Sequence, residues 1–164
     1  GMAGINDFAD FWKSLEDRKI FKDEYQVIHG FDGLDNIKLI DFGFARHHTA
    51  NDPPMTSRIG TSYFVSPDIL KCQYNKSSCD VWAVGIIAYI LLCGLPPFNG
   101  GTDEEIFEDI TLGYLLFLPV AAWVDKSNDA KDFIECLLKK DIGQRVCSAK
   151  EALMHPWIVN LGGA

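Results

Sequence analysis

Apolar residues Phe8, Phe11, Trp12, Leu15 and Ile20 recur at spacings that put most of them on one face of a helix over residues 5–20, with charge on the other face. Val27 to Phe31 and Ile37 to Ile40 read as two short strands joined by the polar turn Asp32-Gly33-Leu34-Asp35-Asn36, a hairpin pattern. From Asp41 to about Asp68 no period survives, and the stretch is rich in Thr, Ser, Pro, Asn and His. Loops of that length in compact domains are usually functional or disordered. Beyond it the pattern turns helical. Val81 to Leu92 is apolar on every side and predicts a buried helix, closed by Gly94-Leu95-Pro96-Pro97. Thr102 and Glu105 form a capping box ahead of an amphipathic helix over Asp103 to Leu112. Ser127 caps another, with Phe133, Ile134, Leu137 and Leu138 as its apolar stripe. Ser148 with Glu151 opens a last short helix, Ala149 to Met154, which stops before His155-Pro156 because proline disfavours helix at the residue preceding it.

Composition narrows the classes. At 164 residues and 48% hydrophobic content, one domain with a real core is expected. The formal net charge of -8 excludes nucleic acid as the natural partner, because phosphate contacts need clustered Lys and Arg. The apolar run from Val81 to Leu95 is too short for a membrane span of roughly 18 to 20 residues. The five cysteines show no C-x-x-C spacing, so free thiols in a reducing compartment are expected, and with no signal peptide evident the expected location is cytoplasmic. The neighbouring pair His47-His48 has no partner cluster and receives no metal role.

Several strings then stand in a fixed order. Lys38-Leu39-Ile40-Asp41-Phe42-Gly43 ends a strand in Asp-Phe-Gly, and Gly60-Thr61-Ser62-Tyr63-Phe64-Val65-Ser66-Pro67-Asp68 closes the long loop. Asp80-Val81-Trp82-Ala83-Val84-Gly85 opens the apolar helix, and Leu92-Cys93-Gly94-Leu95-Pro96-Pro97-Phe98 ends it. Asp141, Arg145 and Ala152-Leu153-Met154-His155-Pro156-Trp157-Ile158 follow. Together they resemble the eukaryotic-type serine/threonine protein kinases from the metal-binding loop onward. Tyr89-Ile90-Leu91-Leu92-Cys93-Gly94 and the string ending in Trp157 are most similar to the calcium/calmodulin-dependent and calcium-dependent group.

The resemblance implies a mainly α, kinase C-lobe-like helical domain with a small β-hairpin and no N-terminal lobe. Residues 1–20 would be an N-terminal helical segment of uncertain origin, 21–160 the lobe, and 161–164 a tail. Asp41 would hold the Mg2+ that bridges the phosphates of ATP, with Gly43 structural beside it. The segment ending at Ser66-Pro67-Asp68 resembles the family's Ala-Pro-Glu, which implies a buried ion pair between Asp68 and Arg145. Asp80 would anchor the backbone of the catalytic loop, and Trp82 would be structural. Thr61 resembles the threonine that contacts the catalytic aspartate, and Gly60 to Ser66 would receive the substrate peptide. Thr56 and Ser57, beside Arg58, are either phosphorylation sites or ordinary loop polarity.

An active kinase also needs a glycine-rich loop, a strand lysine paired with a helix glutamate, and an H-R-D-x-K-x-x-N catalytic loop. The first two are absent from these residues. Counting back through the hairpin places the catalytic aspartate at Asp23, with Lys22 where arginine would stand, Tyr25 for the lysine and Ile28 for the asparagine. Asp23 is then a degenerate base or a solvated loop carboxylate, and residues 1–25 are native to the lobe or foreign to it. Two functions remain open: part of a kinase that transfers the ATP γ-phosphoryl group to protein hydroxyls, inactive as this piece alone, or a pseudokinase lobe that docks proteins. Expected partners are a protein or peptide substrate, a calcium-sensor domain outside this chain, and a second copy meeting the open lobe face.

Overall fold

The computed structural model describes residues 61–71 and 78–161. The chain divides into two compact units, Arg46–Ser148 and the pair Gly1–Ala45 with Ala149–Ala164. The helix expected over residues 5–20 and the hairpin expected over 27–40 lie outside the described residues. Among the described residues every element is helical, so the mainly α character implied by the resemblance is what the structure shows.

In the first unit a single 3-10 turn, Ser62–Phe64, leads to α1 (Pro67–Leu70), α2 (Ser78–Cys93), α3 (Asp103–Leu112), α4 (Val120–Trp123) and α5 (Asn128–Leu137). Of the long segment before Asp68, which showed no period, the described end holds this short turn. Pro67 sits in the first turn of α1, where its missing N–H costs nothing.

Helix α2 is the axis of the unit. It begins three residues earlier than its apolar run, at Ser78, because Asp80 in the first turn suits the positive end of the helix dipole. Val81, Trp82, Val84, Ile86, Ala88 and Tyr89 are all buried along it. It packs against α5, α4 and the 3-10 turn. The helices come close at Gly85, where an added Cβ would lie 2.7 Å from Leu138 Cδ2 and 2.9 Å from Leu137 Cβ. The helix stops at Gly94, which adopts φ +81. Its N–H reaches Ile90 O at 2.7 Å.

The caps largely follow the sequence pattern. Thr102 Oγ1 accepts the Glu105 N–H at 3.3 Å, and Ser127 Oγ accepts the Ala130 N–H at 3.1 Å. The capping box is shifted by one residue, since the Glu105 carboxylate accepts the N–H of Gly101, at 2.6 Å, instead of that of Thr102. Helix α3 buries Ile106 and Ile110 and packs against α1 and the 3-10 turn. Its last carbonyls are satisfied by Lys140, whose ammonium donates to Asp109 O at 3.0 Å and to Gly113 O. Burial pushes the Lys140 ammonium below its ordinary value, and the charge of Asp109 opposes that.

Aromatic rings fill the space around α2. Trp82 stacks on Phe98 at 5.7 Å, with Lys140 Nζ 5.0 Å from the Phe98 ring centre. Tyr89, Phe117 and Trp123 form a second group with centroids 4.7 to 6.0 Å apart. The Tyr89 hydroxyl lies 2.8 Å from Leu116 O and 3.1 Å from Leu118 O, and accepts the Leu118 N–H at 3.1 Å. One side chain thereby pins the segment that follows α3 to the core.

In the second unit α6 (Ala149–Ala152) ends two residues before the expected Met154. Met154 N–H bonds Glu151 O at 3.0 Å, a tighter turn that closes the helix ahead of the proline. Pro156 then begins α7 (Pro156–Leu161), whose Trp157 N–H is accepted by His155 Nδ1 at 3.2 Å.

Candidate functional site

The segment from Thr61 to Asp68 is held at both ends by residues distant in the chain. Thr61 is exposed, and its carbonyl accepts the Phe64 N–H at 2.9 Å. Ser62 Oγ donates to Asp103 Oδ1 at 2.6 Å, in the first turn of α3. Tyr63 OH reaches Asn99 Oδ1 at 3.5 Å. The rings of Tyr63 and Phe64 pack on the core, while Val65 and Ile69 are buried in a small cluster with Phe107. Ser66 Oγ accepts the Ile69 N–H at 3.4 Å, a serine N-cap for α1.

That cap delivers Asp68 into the first turn of α1, with 6% of its surface exposed. Arg145 meets it from 77 residues away: Nη1 donates to Asp68 Oδ2 at 2.6 Å and Nη2 to Oδ1 at 3.2 Å. The other guanidinium donors are also used. Nε bonds Lys139 O at 2.7 Å, and Nη1 and Nη2 reach Ser78 O and Lys140 O, each at 3.4 Å. The guanidinium also lies 5.0 Å from the Trp82 ring centre. Arginine has five N–H donors in a planar fork, and here all of them find acceptors. A charge pair this buried needs such saturation, because desolvating two ions otherwise outweighs their attraction. Its effect is geometric: it joins α1, the start of α2 and the turn after α5 in one arrangement.

Asp80 lies at the start of α2, where desolvation raises its carboxyl above the usual carboxylate range, and the catalytic-loop backbone it was expected to anchor lies outside the described residues. Trp82 is fully buried. Next to Asp80, burial, and then the charge of Asp80, push the Cys79 thiol up to about 12, so this cysteine is not a nucleophile near neutral pH. Asp23, Asp41, Gly43, Thr56 and Ser57 all lie outside the described residues. Among the described residues, then, the structure brings Asp68, Arg145 and Trp82 together and sets Thr61 at the exposed end of the same segment. Sequence reasoning missed Ser62, Asn99 and Asp103 as the partners of that segment. No local signal marks them, since Ser62 and Asp103 are 41 residues apart.

The family described as "Protein kinase domain" matches residues 26–158, and the chain belongs to that family. Among its relatives, "Calcium-dependent protein kinase 3" of Plasmodium yoelii yoelii is 41% identical over 128 residues, covering 78% of this chain and 23% of that protein. "Calcium-dependent protein kinase 5" of Plasmodium falciparum (isolate 3D7) is 40% identical over 121 residues, covering 74% and 21%. The chain is therefore similar to the calcium-dependent kinase group, and it spans less than a quarter of the length of these relatives.

Proposed function

We propose that this chain is the C-lobe part of a serine/threonine protein kinase, and that residues 60–66 receive the substrate peptide. The observation that carries the reading is the saturated Asp68–Arg145 pair, which fixes the base of that segment while Ser62 and Asp103 fix its outer end. A peptide hydroxyl presented to a phosphoryl donor needs such a preset surface, because positioning supplies most of the rate in phosphoryl transfer. Asp41 is the residue for magnesium, and the bound ion would neutralise charge on the ATP phosphates. Asp23 stands at the position of the base. Thr61 borders the peptide surface, and Thr56 and Ser57 are the candidate phosphorylation sites.

The relatives' printed names support calcium control, which this reading assigns to a sensor outside the chain. No helix among the described residues is long and apolar enough to cross a membrane, and we assign the protein to the cytoplasm. As an isolated piece it is inactive on this reading, since its 164 residues hold no glycine-rich loop.

One feature favours a second reading, a pseudokinase or lone lobe that docks proteins: Tyr25 and Ile28 stand where catalysis wants lysine and asparagine. An apolar Ile28 offers no oxygen to a second magnesium. Thermal denaturation of the chain with ATP and Mg2+, beside Asp41→Asn, tests the nucleotide site, because a ligand of the folded state raises the midpoint. A rise lost in Asp41→Asn supports nucleotide binding here. Transfer of labelled phosphate to peptides by the full-length protein separates kinase from pseudokinase, and its absence with nucleotide bound would sink the first reading.

A further inference from the structure

After Phe98, which is buried and stacked on Trp82, the chain passes through Asn99-Gly100-Gly101 and enters α3 behind Thr102. Three successive backbone amides of that loop are held by side-chain oxygens. Asn99 N–H donates to Asp109 Oδ2 at 3.0 Å and Gly101 N–H to Glu105 Oε2 at 2.6 Å, both acceptors standing on α3. The amide between them has a different partner, since Gly100 N–H donates at 2.9 Å to the side-chain carbonyl of its own neighbour, Asn99 Oδ1. Tyr63 OH reaches the same oxygen at 3.5 Å. Asn99 is exposed, and its Nδ2 group has no hydrogen-bond partner among the described residues.

Cγ is one C=O bond from Oδ1, so this hydrogen bond keeps the Gly100 nitrogen at about 3.5 Å from Asn99 Cγ, the separation of a near-attack pair. Gly100 has no side chain to block the approach, and packing demands that it have none. An added Cβ there would lie 2.6 Å from Glu105 Cβ and 2.8 Å from Ile106 N. Asn99 is also the one asparagine of the chain that precedes glycine.

We infer that Asn99 is a site of spontaneous covalent modification, deamidating through attack by the Gly100 nitrogen. Hydroxide takes the Gly100 N–H proton, the nitrogen bonds Asn99 Cγ, and the Cγ–Nδ2 bond breaks. Nδ2 takes a proton from water and leaves as ammonia, and a five-membered succinimide remains. Water then opens the ring. Addition at Cγ gives aspartate, and addition at the Asn99 backbone carbonyl gives isoaspartate, whose main chain is one methylene longer. The net change is amide plus water to carboxylate plus ammonium, with no other reactant. Either product sets a third carboxylate beside those of Asp109 and Glu105, where like charges repel. Isoaspartate also displaces the oxygen that Tyr63 OH reaches, so the loop loosens from the 3-10 turn.

The test is incubation of the whole folded chain at mildly alkaline pH, followed by peptide mapping. Trypsin releases residues 77–126 as one peptide, in which Asn99 is the one side-chain amide, so an amide-to-acid mass gain in it reports this residue. Asn128, equally exposed but followed by Asp129, is the internal reference. Asn99 is expected to convert at least about tenfold faster than Asn128, a difference in barrier height. A protein isoaspartyl methyltransferase with a labelled methyl donor should mark the product, and the label should vanish in Asn99→Gln, whose fold is verified by an unchanged circular dichroism spectrum. Conversion no faster than that of Asn128, label that persists in Asn99→Gln, or conversion seen only after unfolding in urea overturns the proposal. The last outcome would show that the bonds to Asp109 and Glu105 hold the loop away from the attack geometry. None of these results depends on phosphoryl transfer, so the kinase reading stands or falls separately.

Discussion

Replacing Arg145 probes the account of the activation segment most directly, because that one side chain serves five acceptor contacts in a buried site. Arg145→Lys keeps the charge but offers three donors at one point in place of five in a fork. At least two of Asp68 Oδ1 and the carbonyls of Ser78, Lys139 and Lys140 then lose their partner. Each buried acceptor left unpaired costs about 1–3 kcal/mol, so the substitution is expected to destabilise by roughly 2–5 kcal/mol. Arg145→Ala leaves the Asp68 carboxylate buried with only the Ser66 hydroxyl, 3.4 Å away, and about 3–5 kcal/mol is expected. Either figure is a large part of the ~5–15 kcal/mol total of a domain. Urea unfolding followed by circular dichroism would read it as a fall in midpoint at constant slope. The double variant Asp68→Ala/Arg145→Ala should be less destabilised than the sum of its parts, by more than about 1 kcal/mol. An Arg145→Lys protein within about 0.5 kcal/mol of the parent, or strictly additive alanines, would refute the claim that the pair organises this region.

Three further outcomes follow from the packing. Gly85→Ala improves helix propensity by about 1 kcal/mol yet should destabilise by roughly 1–3 kcal/mol, since its Cβ would meet Leu138 Cδ2 at 2.7 Å; a stabilised variant in a urea titration would contradict the close approach of α2 and α5. Tyr89→Phe removes the hydroxyl shared by Leu116 and Leu118, at about 1–3 kcal/mol, and should speed amide exchange at Leu118; unchanged exchange there would show that the segment is held by something else. With its pKa pushed up to about 12, Cys79 should resist iodoacetamide at pH 8 in the folded protein and react once unfolded in urea, as mass spectrometry of the labelled peptides would record. Equal labelling in both states would remove the burial argument.

The helices were legible because their signals are local. A run apolar on all sides announces a buried helix, and α2 is one; a Thr or Ser ahead of an amphipathic stretch announces a cap, and Thr102 and Ser127 act as caps. The Asp68–Arg145 pair was reached through family resemblance and not through spacing, because 77 residues separate its members. What tertiary structure alone decided is how the ends and edges are satisfied. The Glu105 carboxylate turned to Gly101, Lys140 closed the end of α3, and Ser62 found Asp103 across 41 residues. The run 112–124 reads in sequence as simply apolar, and nothing in it says which residues face water. Only the packing of Phe117 against Tyr89 and Trp123 sends Leu115 and Phe117 inward and leaves Tyr114, Leu116 and Leu118 outside. Periodicity is written within one segment, whereas a hydrogen-bond partner or an exposed face depends on what another segment brings beside it.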